Sequence, residues 1–224
     1  MFKIDLHVHT ALGGDSAIRP EEVVGRARDL GLDAVCITEH HAYDLSRPFE
    51  EISRRENYPI FRGLEYRAEE GHLLIYGVRA GKGDLLPGLP MQIAVDWVNR
   101  RGGAAVPAHP YQAGMVGRPL GDRVLQLTGV AAVETLNGSI QSDENRRASE
   151  AARQLGVQGI GGSDAHGIHA LGNAYTCFSE RIEDEAGLVK ALRVGRYTPQ
   201  GSSADHRNNR PYPDRSTQQE MIST

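Results

Sequence analysis

The sequence predicts one α/β domain built on a parallel sheet, either doubly wound or closed as a barrel. Short apolar segments alternate with helical patterns as far as about residue 198, and this alternation is typical of consecutive βα units. Seven main strand patterns precede a last short one. A chain of 224 residues is long enough for a single domain with a sizeable core.

The strand predictions rest on short apolar runs. The first run, FKIDLHV, is followed five residues later by a glycine pair, and the second, DAVCIT, is followed by a polar segment. Such runs are too short for buried helices and are bounded by turn-forming or polar residues. The predicted strands span 2–8, 33–38, 60–65, 72–78, 104–109, 130–137, 157–163 and 174–179.

The helix predictions rest on start and stop residues. The first helix has Pro20 near its start, acidic residues in its first turn and Gly31 at its end. The segment 90–103 is amphipathic and ends in glycine, and Ser142 is a possible cap for a later helix. The predicted helices span 19–31, 46–57, 90–103, 120–128, 142–156 and 183–195.

The composition changes at about residue 199. The segment 199–224 is polar, contains three of the eleven prolines and has no apolar periodicity. It is therefore predicted to be a disordered tail that follows a domain of residues 1–198.

Charge and cysteine content exclude several classes of protein. The formal net charge is −4, with only three lysines and no basic stripe, so stable binding to duplex nucleic acid is not expected. Cys36 and Cys177 lie in apolar runs and are predicted to be core residues rather than a disulfide framework. No window is apolar enough to span a membrane and the first residues are polar, which predicts a cytoplasmic protein.

Polar residues follow nearly every predicted strand, where parallel barrels place their catalytic groups. His7 and His9 share one face of the first strand, since side chains alternate along a strand, and two such imidazoles can bind one cation. Asp5 shares that face and is expected to hydrogen-bond a ligand imidazole. Burying so many polar groups without a metal would be costly. The predicted ligands are His7, His9, Asp15, His40, Glu65, His72, His109, Asp164 and His166.

The motifs DLHVHT, ITEHH, GLE, AHP and GSDAH occur in this order and resemble the polymerase and histidinol phosphatase (PHP) superfamily over residues 1–198. The resemblance implies a distorted seven-stranded (β/α) barrel and metal-dependent hydrolysis of phosphoesters. It further implies a first metal site of His7, His9, Glu65 and Asp164, a second of Glu65, His72 and His109, and a third of Asp15, His40 and His166. Two positions depart from the usual pattern: Glu39 stands where many members have aspartate, and Asp15 follows a glycine pair.

These observations predict a stand-alone phosphoesterase with two or three divalent ions, zinc, manganese or iron. A hydroxide bridging two ions is expected to attack the phosphorus of a phosphomonoester or of a nucleotide or oligonucleotide phosphate. The predicted catalytic residues are His109, Asp164 and His166. The predicted substrate-binding residues are Arg118, His41 and Arg47, with Arg19 and Arg62 as further candidates.

Three alternatives remain open at the level of the sequence. An amidohydrolase also begins with His-x-His, but its dinuclear members often use a bridging carboxylated lysine, and no lysine here follows a strand. A non-catalytic PHP module would normally have lost ligands. A nuclease is the third alternative, although the acidity favours a small phosphorylated substrate or a short nucleotide as the partner. The sequence specifies neither the substrate nor the oligomeric state.

Overall fold

A computed structural model describes residues 1–113 and 119–201. Within them lie nine strands and five α-helices. The strands are β1 Phe2–Val8, β2 Ala34–Ile37, β3 Ile60–Arg67, β4 His72–Tyr76, β5 Ala104–Ala108, β6 Val133–Asn137, β7 Gly159–Gly162, β8 Ala174–Phe178 and β9 Tyr197–Gly201. The helices are α1 Pro20–Asp29, α2 Phe49–Glu56, α3 Met91–Arg100, α4 Ser142–Leu155 and α5 Glu185–Val194, with 3₁₀ turns at Tyr43–Ser46 and Gly121–Gln126.

The strands form a curled seven-stranded sheet and a two-stranded sheet. The larger sheet has the order β5-β4-β3-β2-β1-β8-β9, and β6 pairs with β7 in parallel. Several hydrogen bonds join the sheets, among them those from the Ala131 amide to the Ala105 carbonyl (2.9 Å) and from the Asp164 amide to the His7 carbonyl (2.7 Å). The fold is the distorted (β/α) barrel expected from the sequence.

The prediction of a wholly parallel sheet is wrong. Strands β1, β2 and β3 are parallel, but β4 is antiparallel to both β3 and β5, and β8 is antiparallel to β1. Only four residues, 68–71, join β3 to β4, whereas a parallel connection needs a crossover of a dozen or more residues. The reversal places His72, at the start of β4, at the same rim as the carboxyl ends of β3 and β5.

The boundary of the predicted tail is also wrong. Strand β9 continues to Gly201 and pairs with β8, including the pair Thr176 and Pro199. Its polar sequence concealed it, because an edge strand with one exposed side needs few apolar residues. The rest of the predicted tail, residues 202–224, lies outside the described residues.

The apolar core supports the ligand-bearing strands from within. Leu74 lies directly opposite Glu65 in the β3–β4 register. Tyr76, two residues further along β4, is fully buried and donates from its hydroxyl to the Leu6 carbonyl (3.0 Å). Cys36 packs in this core as predicted, and both cysteines are free. No helix in the described ranges is long and apolar enough to cross a membrane.

Candidate metal centre

All nine predicted ligands lie at one rim of the barrel. The carboxyl ends of β1, β2, β3, β5 and β7 supply most of them, the reversed start of β4 supplies His72, and the loop after β1 supplies Asp15. Their ligand atoms form four overlapping groups, each compact enough to hold one cation. The groups are His7, His9 and Glu65; His7, His109 and Asp164; Glu65, His72 and His109; and His9, Asp15, His40 and His166.

The residues of the first predicted site are in contact with one another. His7 Nε2 and His9 Nε2 are 3.0 Å apart. Glu65 Oε2 lies 3.4 Å from His7 Nε2 and 3.1 Å from His9 Nε2. Asp164 Oδ1 is 3.5 Å from each of these nitrogens. Three of these residues, His7, His9 and Glu65, form one compact ligand group, whereas Asp164 belongs with His7 and His109 to an adjoining group.

The second predicted site is compact as well. Glu65 Oε1 lies 2.8 Å from His72 Nδ1 and 3.0 Å from His109 Nε2. The other oxygen of the same carboxylate faces His7 and His9. Glu65 thus presents one oxygen to each group, which is the arrangement a bridging carboxylate needs.

The third predicted site lies nearer the surface. Asp15 Oδ2 is 3.2 Å from His40 Nε2 and 3.5 Å from His166 Nε2. His9 belongs to this group too. Its ring stacks on that of His166 with a centroid separation of 4.5 Å. His40 Nδ1 also lies 3.2 Å from Glu65 Oε2. Glu65 therefore contacts histidines from all three predicted sites.

The ionisation of the carboxylates suits cation binding. Burial by itself would raise the pKa of Glu65, but His72, His7 and the hydrogen bond from His109 hold it well below its usual value. Burial also opposes ionisation of Asp164, yet His7 and His109 lower its pKa to about 2. The site therefore carries anionic oxygens whose charge either protonated imidazoles or metal ions can balance. Metal affinity should increase with pH, because the metal must displace imidazole protons.

Glu134 orients His7 from behind the ligands. His7 Nδ1 donates to Glu134 Oε1 (2.9 Å), so in the neutral ring Nε2 carries the lone pair that faces Glu65. Glu134 Oε2 accepts from the His109 amide (2.8 Å) and from Asn137 Nδ2 (3.0 Å). Sequence analysis assigned no role to Glu134 or Asn137. The donor set is all nitrogen and oxygen, and this geometry fits a divalent cation such as zinc, manganese or iron.

Asp5 does not hydrogen-bond an imidazole, contrary to the prediction. Its carboxylate instead accepts from three backbone amides, those of His7 (3.3 Å), Ser163 (2.9 Å) and Gly172 (2.9 Å). Burial raises the pKa of Asp5 to about 6, although these hydrogen bonds act in the opposite direction. Asp5 therefore ties β1 to the segment that carries Asp164.

Backbone strain is concentrated at the site. His41, His109 and Asp164 all have positive φ, at 63°, 25° and 52°. Each is fixed by a hydrogen bond from its own amide to a residue of the site: His41 to the Glu65 carbonyl, His109 to Glu134 and Asp164 to the His7 carbonyl. Non-glycine residues adopt this region mainly where surrounding structure imposes it, often at functional sites.

Glu39 holds the loop that carries Asp15. Its Oε1 accepts from the Thr10 amide (3.1 Å) and from the Thr10 hydroxyl. Burial raises the pKa of Glu39 to about 7. A Cβ on Gly13 would lie 2.3 Å from Glu39 Oε2. The absence of a side chain at Gly13 thus makes room for the glutamate side chain at position 39.

The ligand groups open into a cavity of about 440 Å³. Predicted substrate residue His41 lines it, and its pKa is lowered by burial and by neighbouring positive groups, among them His40 and Lys82. Sequence analysis missed two further lining residues, Arg67 and Gln112. The cavity is lined by His40, His41, Glu65, Arg67, His72, His109, Gln112, Asp164 and His166.

The four arginines predicted to bind substrate have different positions relative to the cavity. Arg47 is exposed at the end of the Tyr43–Ser46 turn and is absent from the cavity lining, so its role in substrate binding stays a prediction. Arg62 is buried against Ser46 (2.9 Å), and Arg19 pairs with Glu22 on the surface. Arg118 lies outside the described residues.

Substitution of Asp15 by asparagine is expected to remove one metal ion only. Asp15 is the only carboxylate in its ligand group, and hydrogen bonds from His166 and His40 hold its pKa low. The groups around Glu65 do not use it. Metal analysis should show one ion fewer per chain than in the wild type, while Asp29→Asn on the exposed face of α1 should change nothing. Unchanged metal content in the Asp15 variant would contradict the third site.

The fold and the site define an α/β barrel with a cluster of histidine, aspartate and glutamate side chains at its strand ends that could hold metal ions. Residues 5–87 match the family model described as the PHP domain, and residues 142–197 match a second model described as PHP-associated. The two segments contain all nine ligands except His109. The chain belongs to the PHP superfamily.

Solved structures with this fold have different reported activities. A candidate metal-dependent phosphoesterase from Bifidobacterium adolescentis is 20% identical, with a TM-score of 0.61, 86% of this chain covered and 96% of that one. An amidohydrolase from Chromobacterium violaceum is 21% identical (TM-score 0.56; 73% and 87% covered). The lesion-specific endonuclease PfuEndoQ from Pyrococcus furiosus is 16% identical (TM-score 0.61; 88% and 57% covered). At these identities the likeness concerns the fold.

Proposed function

We propose that this protein is a metal-dependent phosphoesterase that hydrolyses a phosphomonoester, or the terminal phosphate of a short nucleotide. The observation that carries the proposal is the position of Glu65. Its two oxygens contact ligands of adjoining groups, and the groups open together into one cavity. Two or three adjacent cations in such a cavity would face the oxygens of a single phosphate group.

When bound, the cations would activate water and neutralise the charge that develops on the phosphate oxygens. The protein's own residues hold and orient that centre. Glu65 would hold cations of both adjoining groups, Asp164 would contribute a second anionic ligand, and Glu134 orients His7 so that its Nε2 faces Glu65. Within the described ranges 1–113 and 119–201, none of the residues that line the cavity is serine, threonine or cysteine. This supports water, rather than a side chain, as the nucleophile.

His166 is the best placed of the predicted catalytic residues to transfer a proton to the leaving oxygen. Its side chain is 41% exposed at the cavity, whereas that of His109 is only 2% exposed and faces Glu65. Asp15 and Asp164 raise the pKa of His166 to about 9, although burial acts in the opposite direction. His109 and Asp164 are proposed to act as ligands.

The contacts favour a phosphoesterase over an amidohydrolase. The three lysines lie near the start of β1 (Lys3), in an exposed loop (Lys82) and on α5 (Lys190), rather than at the carboxyl end of a strand. Glu65 occupies the bridging position that a carboxylated lysine would need. A non-catalytic role is disfavoured because the full set of nine ligands is present.

The test is a substrate panel on protein reconstituted with manganese or zinc. We expect hydrolysis of an aryl phosphomonoester or a short oligonucleotide, loss of activity with a chelator, and recovery when metal is restored. Failure on all phosphate esters with at least two metals bound would contradict the proposal. Turnover of only the amide or lactone members of the panel would favour the amidohydrolase.

A further inference from the structure

We propose that Arg67 binds a terminal oxygen of the substrate phosphate and makes the site selective for phosphomonoesters over phosphodiesters. The inference rests on the phosphoesterase function proposed above and adds the substrate class. Three lines of evidence carry it: the register of β3 and β4, the anchoring of the end of β3, and the number of oxygens that each type of ester presents.

The register places Arg67 on the metal-binding face. Arg67 lies two residues after Glu65 on β3, so the two side chains leave the same side of the strand. Arg67 is also the direct antiparallel partner of His72, and side chains of such pairs lie side by side on one face of a sheet. Arg67 therefore stands next to the second ligand group, one step nearer the cavity mouth.

Two backbone hydrogen bonds fix the end of β3 at Arg67. The Arg67 carbonyl accepts from the Gly88 amide (2.9 Å), and the next residue, Ala68, donates to the Gly71 carbonyl (3.0 Å). The residue is exposed and lines the cavity. Apart from Glu65 and Asp164, none of the lining residues in the part of the chain that the structure describes is acidic. An anion at the mouth would therefore meet cationic and neutral groups.

The expected selectivity follows from the number of terminal phosphate oxygens in each type of ester. A phosphomonoester has three terminal oxygens and a phosphodiester has two, because the second ester link uses one. Cations held around Glu65 would bind the inner oxygens of either substrate. The additional terminal oxygen of a monoester needs a donor on the open side, where Arg67 lies. A guanidinium offers paired N–H donors in a rigid fork suited to phosphate, which a lysine ammonium does not reproduce.

The experiment compares Arg67→Ala and Arg67→Lys with Arg100→Ala, an exposed arginine on α3 that gives the same charge change away from the site. Each metal-loaded protein is assayed in two ways. Calorimetry measures the Kd for inorganic phosphate, and kinetics measure kcat/KM for an aryl phosphomonoester and for the matched aryl methyl phosphodiester. Metal content is determined for every sample.

We expect Arg67→Ala to keep its metal, to bind phosphate about tenfold or more weakly, and to lose a similar factor on the monoester. The diester rate should change by less than about threefold on the same reasoning, and Arg67→Lys should recover only part of the loss. Equal losses on both esters, unchanged phosphate affinity, no phosphate binding by the wild type, or reduced metal content would each overturn the assignment. If neither ester is hydrolysed by the wild type but Arg67→Ala still weakens phosphate binding, the phosphoesterase proposal fails while the anion contact stands.

Discussion

Replacement of Glu65 by glutamine is expected to remove at least two metal ions and to abolish hydrolysis. Glu65 is 1% exposed and lies within 3.4 Å of nitrogens from five histidines. An amide supplies one neutral acceptor and one donor, so it cannot bridge cations and it directs N–H groups at imidazole nitrogens. The loss of several kcal/mol of charge stabilisation corresponds to a fall in kcat/KM of about a thousandfold or more.

Glu69→Gln is the matched control for this experiment. Glu69 is exposed just beyond the same strand, and the hydrogen bond from its amide to the Leu89 carbonyl does not involve its side chain. Its metal content and rate should equal those of the wild type. Circular dichroism of both variants separates a loss of metal from a loss of fold. A folded Glu65→Gln protein that keeps all its metal would contradict the bridging role.

Replacement of Glu134 by glutamine is expected to weaken metal binding although Glu134 is not among the ligand groups. Its two oxygens accept from His7 Nδ1, the His109 amide and Asn137. Glutamine cannot accept on both sides, so either the His7 ring loses its orientation or the buried His109 amide loses its acceptor. Removing such a partner typically lowers metal affinity or activity by about 10- to 100-fold.

Chelator competition on folded protein measures this effect. The exposed Glu180→Gln variant serves as the control for the charge change. The metal dissociation constant should increase for Glu134→Gln alone, and excess metal should restore part of the activity. An affinity equal to that of the wild type would show that Glu134 has a structural role only.

The ligand set was predictable because it depends on a general property of the fold. Parallel strands end at one rim, so polar residues after consecutive strands converge even when they are far apart in sequence. His7 and Asp164 illustrate this, because they are 157 positions apart in the sequence and their side chains are 3.5 Å apart. His72 required one further element, the short connection that reverses β4. The side-chain roles of the nine ligands in solution remain predictions.

The residues that hydrogen-bond to the ligands or to the backbone beside them were not predictable in the same way. Asp5 and Glu134 are both buried carboxylates on strands, and their sequence contexts do not distinguish them. Asp5 accepts from backbone amides, whereas Glu134 also accepts from the His7 imidazole, because the strands bring different donors to each carboxylate. Arg67 was missed for a related reason, since its position depends on the β3–β4 register rather than on a motif.

Anomalous diffraction from crystals of the manganese- or zinc-loaded protein tests the central claim most directly. We predict at least two metal peaks within bonding distance of the Glu65 carboxylate, one shared with His7 and His9 and one with His72 and His109. A third peak is expected beside Asp15. Metal peaks that lie elsewhere in fully loaded crystals, with none at Glu65, would contradict the account.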